Sequence, residues 1–413
     1  MKQVRTAGGG SKGLLAELGS FALIALAVWL GWQVVRELTA DRLPPALALR
    51  LSPASPRVLA RAAEAEFAAE RHGNAEELAR LSLARAPFNA RALRVVGLSE
   101  AKEGQSDRAN DILTLAGNWS LRDDPAHAWL VEHRLSRGDY GSAFAHADTL
   151  ARRRPDLHAQ LFKLFTMAAT LDQRALPPLV RLLAAKPPWR RPFLGSLYTN
   201  DKDMSLAATL AIMLQSTGEG AFTDTELEAL NRNLLSKHYV SALSDVRERL
   251  RRPDPALTLV NGDFATPSAL RPFEWKLFSA PGTIADILTD DLRPSETALR
   301  VEHDGRSSQS FVEQLILLPA GTYRLGGEMR TEAGEARARL NWTVACLQSR
   351  EIIGTSQTAT ATAADTPGWR PFSVTFTVPE QNCAAQWVRL TPESGRRATS
   401  AAWYDRLSVT PVR

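Results

Sequence analysis

Five of the ten tryptophans, Trp275, Trp342, Trp369, Trp387 and Trp403, lie beyond residue 256. An indole face can stack on the C–H surface of a sugar ring, while planar polar groups reach the ring hydroxyls. In Gln386–Leu390, period-two alternation puts Gln386, Val388 and Leu390 on one strand face and Trp387 and Arg389 on the other. In a second strand Leu340, Trp342, Val344 and Cys346 share a face, opposite Arg339, Asn341 and Thr343. Trp387, Arg389, Arg339 and Asn341 are therefore the candidate glycan platform; a purely structural role is the plainer alternative for each. Alternation assigns Trp342 and Trp403 to the apolar side, as core.

Catalytic patterns are missing. The seven histidines form no HExxH pair, no GxSxG elbow occurs, and GGGSKG at 8–13 lacks the context of a phosphate-binding loop. No pair of carboxylates stands out, so an enzyme is not expected. The only cysteines, Cys346 and Cys383, match neither a redox CxxC pair nor a metal site. In an oxidising compartment they can form a disulfide; two buried free thiols are the alternative.

The compartment is set by the N-terminal segment. Leu18–Val35 is an uncharged run of 18 residues, bracketed by Glu17 and Arg36, with Trp29 and Trp32 near its far end. That is long enough for a membrane-spanning helix with interfacial aromatics. Lys2, Arg5 and Lys12 precede it with no acid among them, which keeps the N-terminus in the cytoplasm and exports the rest. A cleaved signal peptide is the rival, but its apolar core is shorter, about 7–15 residues, and Leu38-Thr39-Ala40 is a poor cleavage site. The expected layout is a cytoplasmic tail (1–13), a single-pass anchor in a bacterial inner membrane (14–36), a stiff proline-rich linker (37–55) and a periplasmic bulk. Nucleic acid is not an expected partner.

Composition agrees with a folded, multidomain chain. It has 413 residues, 44% hydrophobic and 23% charged, which excludes global disorder. The net charge of +5 is carried by 42 Arg and 8 Lys, an arginine bias read as coding composition before chemistry. Residues 257–413 hold 16 basic and 17 acidic side chains, so the basicity belongs to the preceding part. The break falls at Arg251–Ala256, where two prolines stop helical periodicity.

The part before the break carries a repeat of 34 residues. Ala75, Ala109 and Ala143 are in phase, Gly104 and Gly138 are 34 apart, and Pro87 and Pro155 are two periods apart. Leu59, Ala62 and Ala63 fill the first block, Leu93, Val96 and Gly97 the second, and Leu130 and Ala147 the third. This pattern resembles the tetratricopeptide repeat family over 56–157, three units, although the consensus aromatics are replaced by Leu, Ala or His127. Residues 158–250 continue as degenerate helical repeats, with a capping box at Thr223 and Glu226. The resemblance implies a surface that binds a protein partner.

Residues 257–413 alternate as short strands. Their landmarks run LVNGDF (259–264), PFEW (272–275), LPAGTYRL (318–325), GWRPFSVTFTVP (368–379) and AAWYDRLSV (401–409). The series is similar to the galactose-binding-like jelly rolls, which include many carbohydrate-binding modules. That resemblance implies an antiparallel β-sandwich, a polysaccharide ligand and a structural calcium on Asn261, Asp263 and Asp405. Ala265 replaces an acid common there. The alternative has Asp263 capping a turn and Asp405 pairing with an arginine. The fold class is thus multidomain α + β: transmembrane helix, α-solenoid, β-sandwich. The expected function is an envelope scaffold in exopolysaccharide or cell-envelope assembly. A structural protein without sugar binding and a cryptic glycan-active enzyme are the alternatives.

Overall fold

A computed structural model describes residues 10–251, 258–266, 271–304, 306, 309–331, 340–357, 368–392 and 400–412. The chain divides into two compact units, residues 1–161 and 162–413.

The first unit begins with helix α1 (Gly10–Arg42), whose segment Leu23–Ala40 has a mean hydropathy of 1.3 and is almost wholly uncovered. A membrane span is one reading of such a helix and a signal sequence another. Residues 37–55 are not the extended spacer their prolines suggested. Helix α1 runs on to Arg42, and α2 covers Pro45–Leu51. Pro45 opens α2 at its first turn, where a missing N–H costs nothing. Ala40, Ala48 and Val58 pack together, and Arg61 donates to the carbonyls of Ala40 and Leu43 at 3.0 Å, so α1 is joined to the repeats.

Three helical hairpins follow: α3 (Pro56–Ala68) with α4 (His72–Arg85), α5 (Ala90–Lys102) with α6 (Ser106–Trp119), and α7 (Asp124–Ser136) with α8 (Tyr140–Arg153). This is the tetratricopeptide-like array read from the 34-residue period. Ala75, Ala109 and Ala143 are each fully buried early in the second helix, where a larger side chain would hold the pair apart. Gly97 does the same from the first helix, since a Cβ there would lie 2.6 Å from Leu113 Cγ. Gly104 and Gly138 turn between helices with φ of 82° and 72°, a region glycine enters freely. Asn89 and Asp123, one period apart, accept from the backbone amides of Ala92 and Ala126 and so cap α5 and α7. The first helices lie side by side, α3 next to α5 and α5 next to α7.

Helix α9 (His158–Leu171) crosses the division between the units. The second unit then has α10 (Leu176–Ala184), α11 (Arg190–Leu197), α12 (Met204–Gln215), α13 (Asp224–Ser236) and α14 (Val240–Leu250). The Thr223–Glu226 capping box opens α13. Glu226 also receives the buried Arg190 in a paired contact at 2.9 and 2.8 Å, while the same guanidinium donates to the carbonyls of Leu183, Gly220 and Ala221. A buried cation so fully satisfied fixes the entry to α13.

Among the described residues ten strands complete the unit: β1 (Lys276–Leu277), β2 (Thr283–Thr289), β3 (Thr297–His303), β4 (Val312–Ile316), β5 (Gly321–Thr331), β6 (Leu340–Cys346), β7 (Ile352–Thr355), β8 (Arg370–Val378), β9 (Gln386–Pro392) and β10 (Ser400–Pro411). They form two antiparallel sheets, ordered β1-β4-β9-β6-β7 and β2-β3-β10-β5-β8. Phe264, Trp275, Trp342, Phe376 and Tyr404 lie in the core between them. A disulfide joins Cys346 at the end of β6 to Cys383 just before β9.

A buried pair sets the acid response of the first unit. His127 of α7 and His146 of α8 meet through their Nδ1 atoms at 2.8 Å. Burial holds the His146 pKa down to about 4, helped by Arg134 and by His127 and opposed by Asp139. Burial also lowers His127, against the pull of the Ser120 backbone, Asp123 and Asp124, with Arg153 adding to the lowering. Both folded pKa values lie below the unfolded value near 6.5. Their stabilisation is therefore complete above that value and is lost as pH falls through 6.5 toward 4. Thermal unfolding should show a loss on the order of 3 kcal/mol across that window, which His146→Gln flattens.

Candidate functional site

Strand β9 lies between β4 and β6. Arg389 stands opposite Glu313 on β4 and Thr343 on β6, and Trp387 stands opposite Leu315 and Ala345. Gln386, Val388 and Leu390 are fully buried toward the core. Trp387, Arg389 and Thr391 consequently share the outer face and are half-buried. Asn341 pairs with Thr391, whose hydroxyl donates to the Asn341 carbonyl at 3.3 Å, so Asn341 belongs to the same face. Arg339 lies outside the described residues.

Contacts on this face give Arg389 a different task from the one its chemistry suggested. Its guanidinium carbon sits 4.9 Å from the centre of the Trp387 ring, and its Nε donates to Glu313 Oε2 at 3.1 Å. Lys276 Nζ donates to Glu313 Oε1 at 3.4 Å. Both oxygens of a largely buried carboxylate are thus held by cations. Arg389 stacks on the Trp387 ring and so helps to fix its angle.

Trp387 also lines a cavity of about 260 Å³, just below the roughly 300 Å³ of the smallest ordinary ligand clefts. Helix α13 contributes Glu228, Arg232 and Leu235 to its lining; Arg271, Pro272, Lys276, Glu313 and Trp387 contribute the rest. Two contacts position α13 there. Asn231 Nδ2 donates to the Arg271 carbonyl at 3.4 Å, and Arg247 of α14 lies 4.6 Å over the Phe273 ring. Arg232 and Arg271 have no carboxylate partner within ion-pair distance among the described residues. The cavity therefore combines an aromatic surface, planar donors and an excess of positive charge.

The three residues expected around calcium are each committed elsewhere. Asn261 donates to the Thr266 carbonyl at 2.7 Å and accepts from its amide at 3.1 Å. Asp263 is exposed and accepts from the Ala265 amide at 3.4 Å. Asp405 is buried and takes Arg293 Nη1 at 3.3 Å and the Arg406 amide at 2.7 Å. A guanidinium faces the one buried acid, where calcium needs six to eight oxygens. The described residues do not fit the ion.

Trp403 also differs from expectation. Ala402 and Tyr404 point inward from β10, so Trp403 faces outward, yet it is buried. Arg330, its partner on β5, lies 4.5 Å over the Trp403 ring. Trp369 stacks in turn with Arg293 at 4.7 Å and with Arg330 at 5.8 Å. Asp290 closes the layer by accepting from Trp369 Nε1 at 2.8 Å and from Arg330 at 3.0 Å, and Arg330 also meets Asp291. Burial pushes the Asp290 carboxyl up, but the Leu292 amide, Trp369 and Arg330 outweigh it and hold it below the ordinary value. The alternating pattern of β10 carried half of this signal; the covering arginine became visible only with the register of β5.

No protein-family profile matches the chain, and no curated protein matches it. Solved structures do. Similar to the strand region are the CBM22-1 xylan-binding domain of Paenibacillus barcinonensis Xyn10C (14% identity, 37% of this chain and 92% of that one, TM-score 0.27) and TmCBM61 in complex with β-1,4-galactotriose (17%, 38% and 99%, TM-score 0.27). Similar to the helical part is Pseudomonas aeruginosa pilF (16%, 55% and 90%, TM-score 0.28). These likenesses bear on fold alone. The hairpin array and the two-sheet sandwich described above stand on this chain's own elements.

Removing Arg330 would strand Asp290 as a buried, uncompensated charge. Arg330→Ala should destabilise the second unit by about 3–5 kcal/mol in denaturant unfolding, and Arg330→Ala with Asp290→Asn should recover part of it.

Proposed function

We propose that this protein is a membrane-anchored scaffold of the bacterial envelope. Its repeats take a protein partner, and its sandwich holds a glycan during exopolysaccharide or cell-envelope assembly. The carrying observation is Trp387, fixed by Arg389 with its ring bordering a cavity that also presents Arg232, Arg271 and Lys276. An apolar ring face with planar donors beside it suits a saccharide, and the surplus cations favour one bearing carboxylates. Glu313 is spent on holding Lys276 and Arg389, a positioning role that suits a binding cavity. The repeats would recruit through their adjacent first helices, and α1 would set the height above the inner membrane.

The test is calorimetric titration of the detergent-solubilised full chain with the host's surface polysaccharide. Wild type should bind saturably, Trp387→Ala at least about tenfold more weakly with its unfolding temperature kept, and the polymer length should stay unchanged on long incubation. Equal binding by wild type and variant would remove the site from the sandwich face.

A further inference from the structure

Apart from Leu47, the exposed large apolar side chains that follow α1 in the first unit are Leu81, Phe88, Leu115, Trp119 and Leu121. Leu81 of α4 and Leu115 of α6 hold the same place in successive repeats, 34 residues apart. Trp119, one turn beyond Leu115, is 54% exposed and packs on Phe88, 61% exposed, with ring centroids 4.4 Å apart. Leu121 extends the patch. Such a cluster on a surface calls for an occupant.

Three observations choose the occupant. The first is the repeat itself. One period further on, Leu115, Trp119 and Leu121 become Thr149, Arg153 and Pro155, so the patch is confined to the two repeats nearest α1. The second is height. Phe88 and Glu37 line one cavity of about 790 Å³, and Ser55 donates to Glu37 at 2.7 Å. Glu37 follows the last residue of the uncharged run by two positions, about 3 Å of helix rise. The headgroup zone extends about 5–8 Å beyond the hydrocarbon on each side, so the cavity that Phe88 shares with Glu37 opens at that level. The third is charge. Arg57 lines the same cavity and Arg122 adjoins Leu121, and neither has a carboxylate partner within ion-pair distance among the described residues. Aromatic rings flanked by arginines match an anionic membrane interface.

We infer that the second-helix edge of the first two repeats rests on the bilayer that α1 crosses, with Phe88, Trp119 and Leu121 at headgroup depth and Arg57 and Arg122 toward anionic lipid. This rests on reading α1 as a membrane span. The first helices α3, α5 and α7 stay clear for a protein partner.

The full chain is reconstituted in vesicles of phosphatidylethanolamine and phosphatidylglycerol, with or without brominated acyl chains. The emission of Trp119 is isolated by difference against Trp119→Phe, and that of the α1 tryptophans against Trp29→Phe with Trp32→Phe. Brominated lipid should quench both components, and aqueous iodide should leave Trp119 untouched. Quenching of Trp29 and Trp32 by lipid together with quenching of Trp119 by iodide alone would overturn the inference while keeping the anchor; the patch would then be a protein-docking surface. Lipid quenching of neither component would overturn the anchor and the inference together.

Discussion

Strand β9 cannot slip. It is bonded on one side to β4 and on the other to β6, and its alternate residues Gln386, Val388 and Leu390 are fully buried. A shift of one residue would drive Trp387 and Arg389 into the core and expose that row. Gln386 adds a second lock, because its side chain accepts from the Leu318 amide and donates to the carbonyls of Leu318 and Cys383. With β9 fixed, the Glu313–Arg389 contact and the setting of the Trp387 ring follow. The disulfide joins the end of β6 to the start of β9 in the same sheet.

The second unit distributes buried charge in two ways. On one sheet a carboxylate is shared between Lys276 and Arg389 beside a cavity. On the other, Arg330, Arg293, Asp290 and two indoles close into a layer that buries Trp403. Arginine suits both places because its planar group can stack and donate at once. Beside the first layer, the half-buried Trp387 lines the cavity together with Arg232 and Arg271. The second covers Trp403, while Trp369 stays half-buried.

Much of the fold was legible because short-range periods state it directly. Alanine at 75, 109 and 143 gave the hairpins, since helix approach tolerates only a small side chain there. Alternation around Val388 gave the outward face of β9. Two features were not legible for a common reason. Trp403 was assigned to the core because alternation reports a face, not what covers it, and Arg330 lies 73 positions earlier in the chain. The wall supplied by α13 depends on Asn231 and Arg247 meeting residues 271–273 across a stretch that carries no periodic signal. Pro44 and Pro45 misled in another way, since proline at a helix start reads like proline in a spacer.

If Trp387 holds a glycan as proposed, Arg389 stacked on its ring leaves the ligand at most one side of the indole. A one-sided platform neither encloses a polymer nor needs its end, so each contact is local and quickly reversed. Retention of a long chain would then depend on how many such platforms stand within its reach. Copies anchored in a plane as proposed would raise that number through effective concentration, without any one site becoming tight.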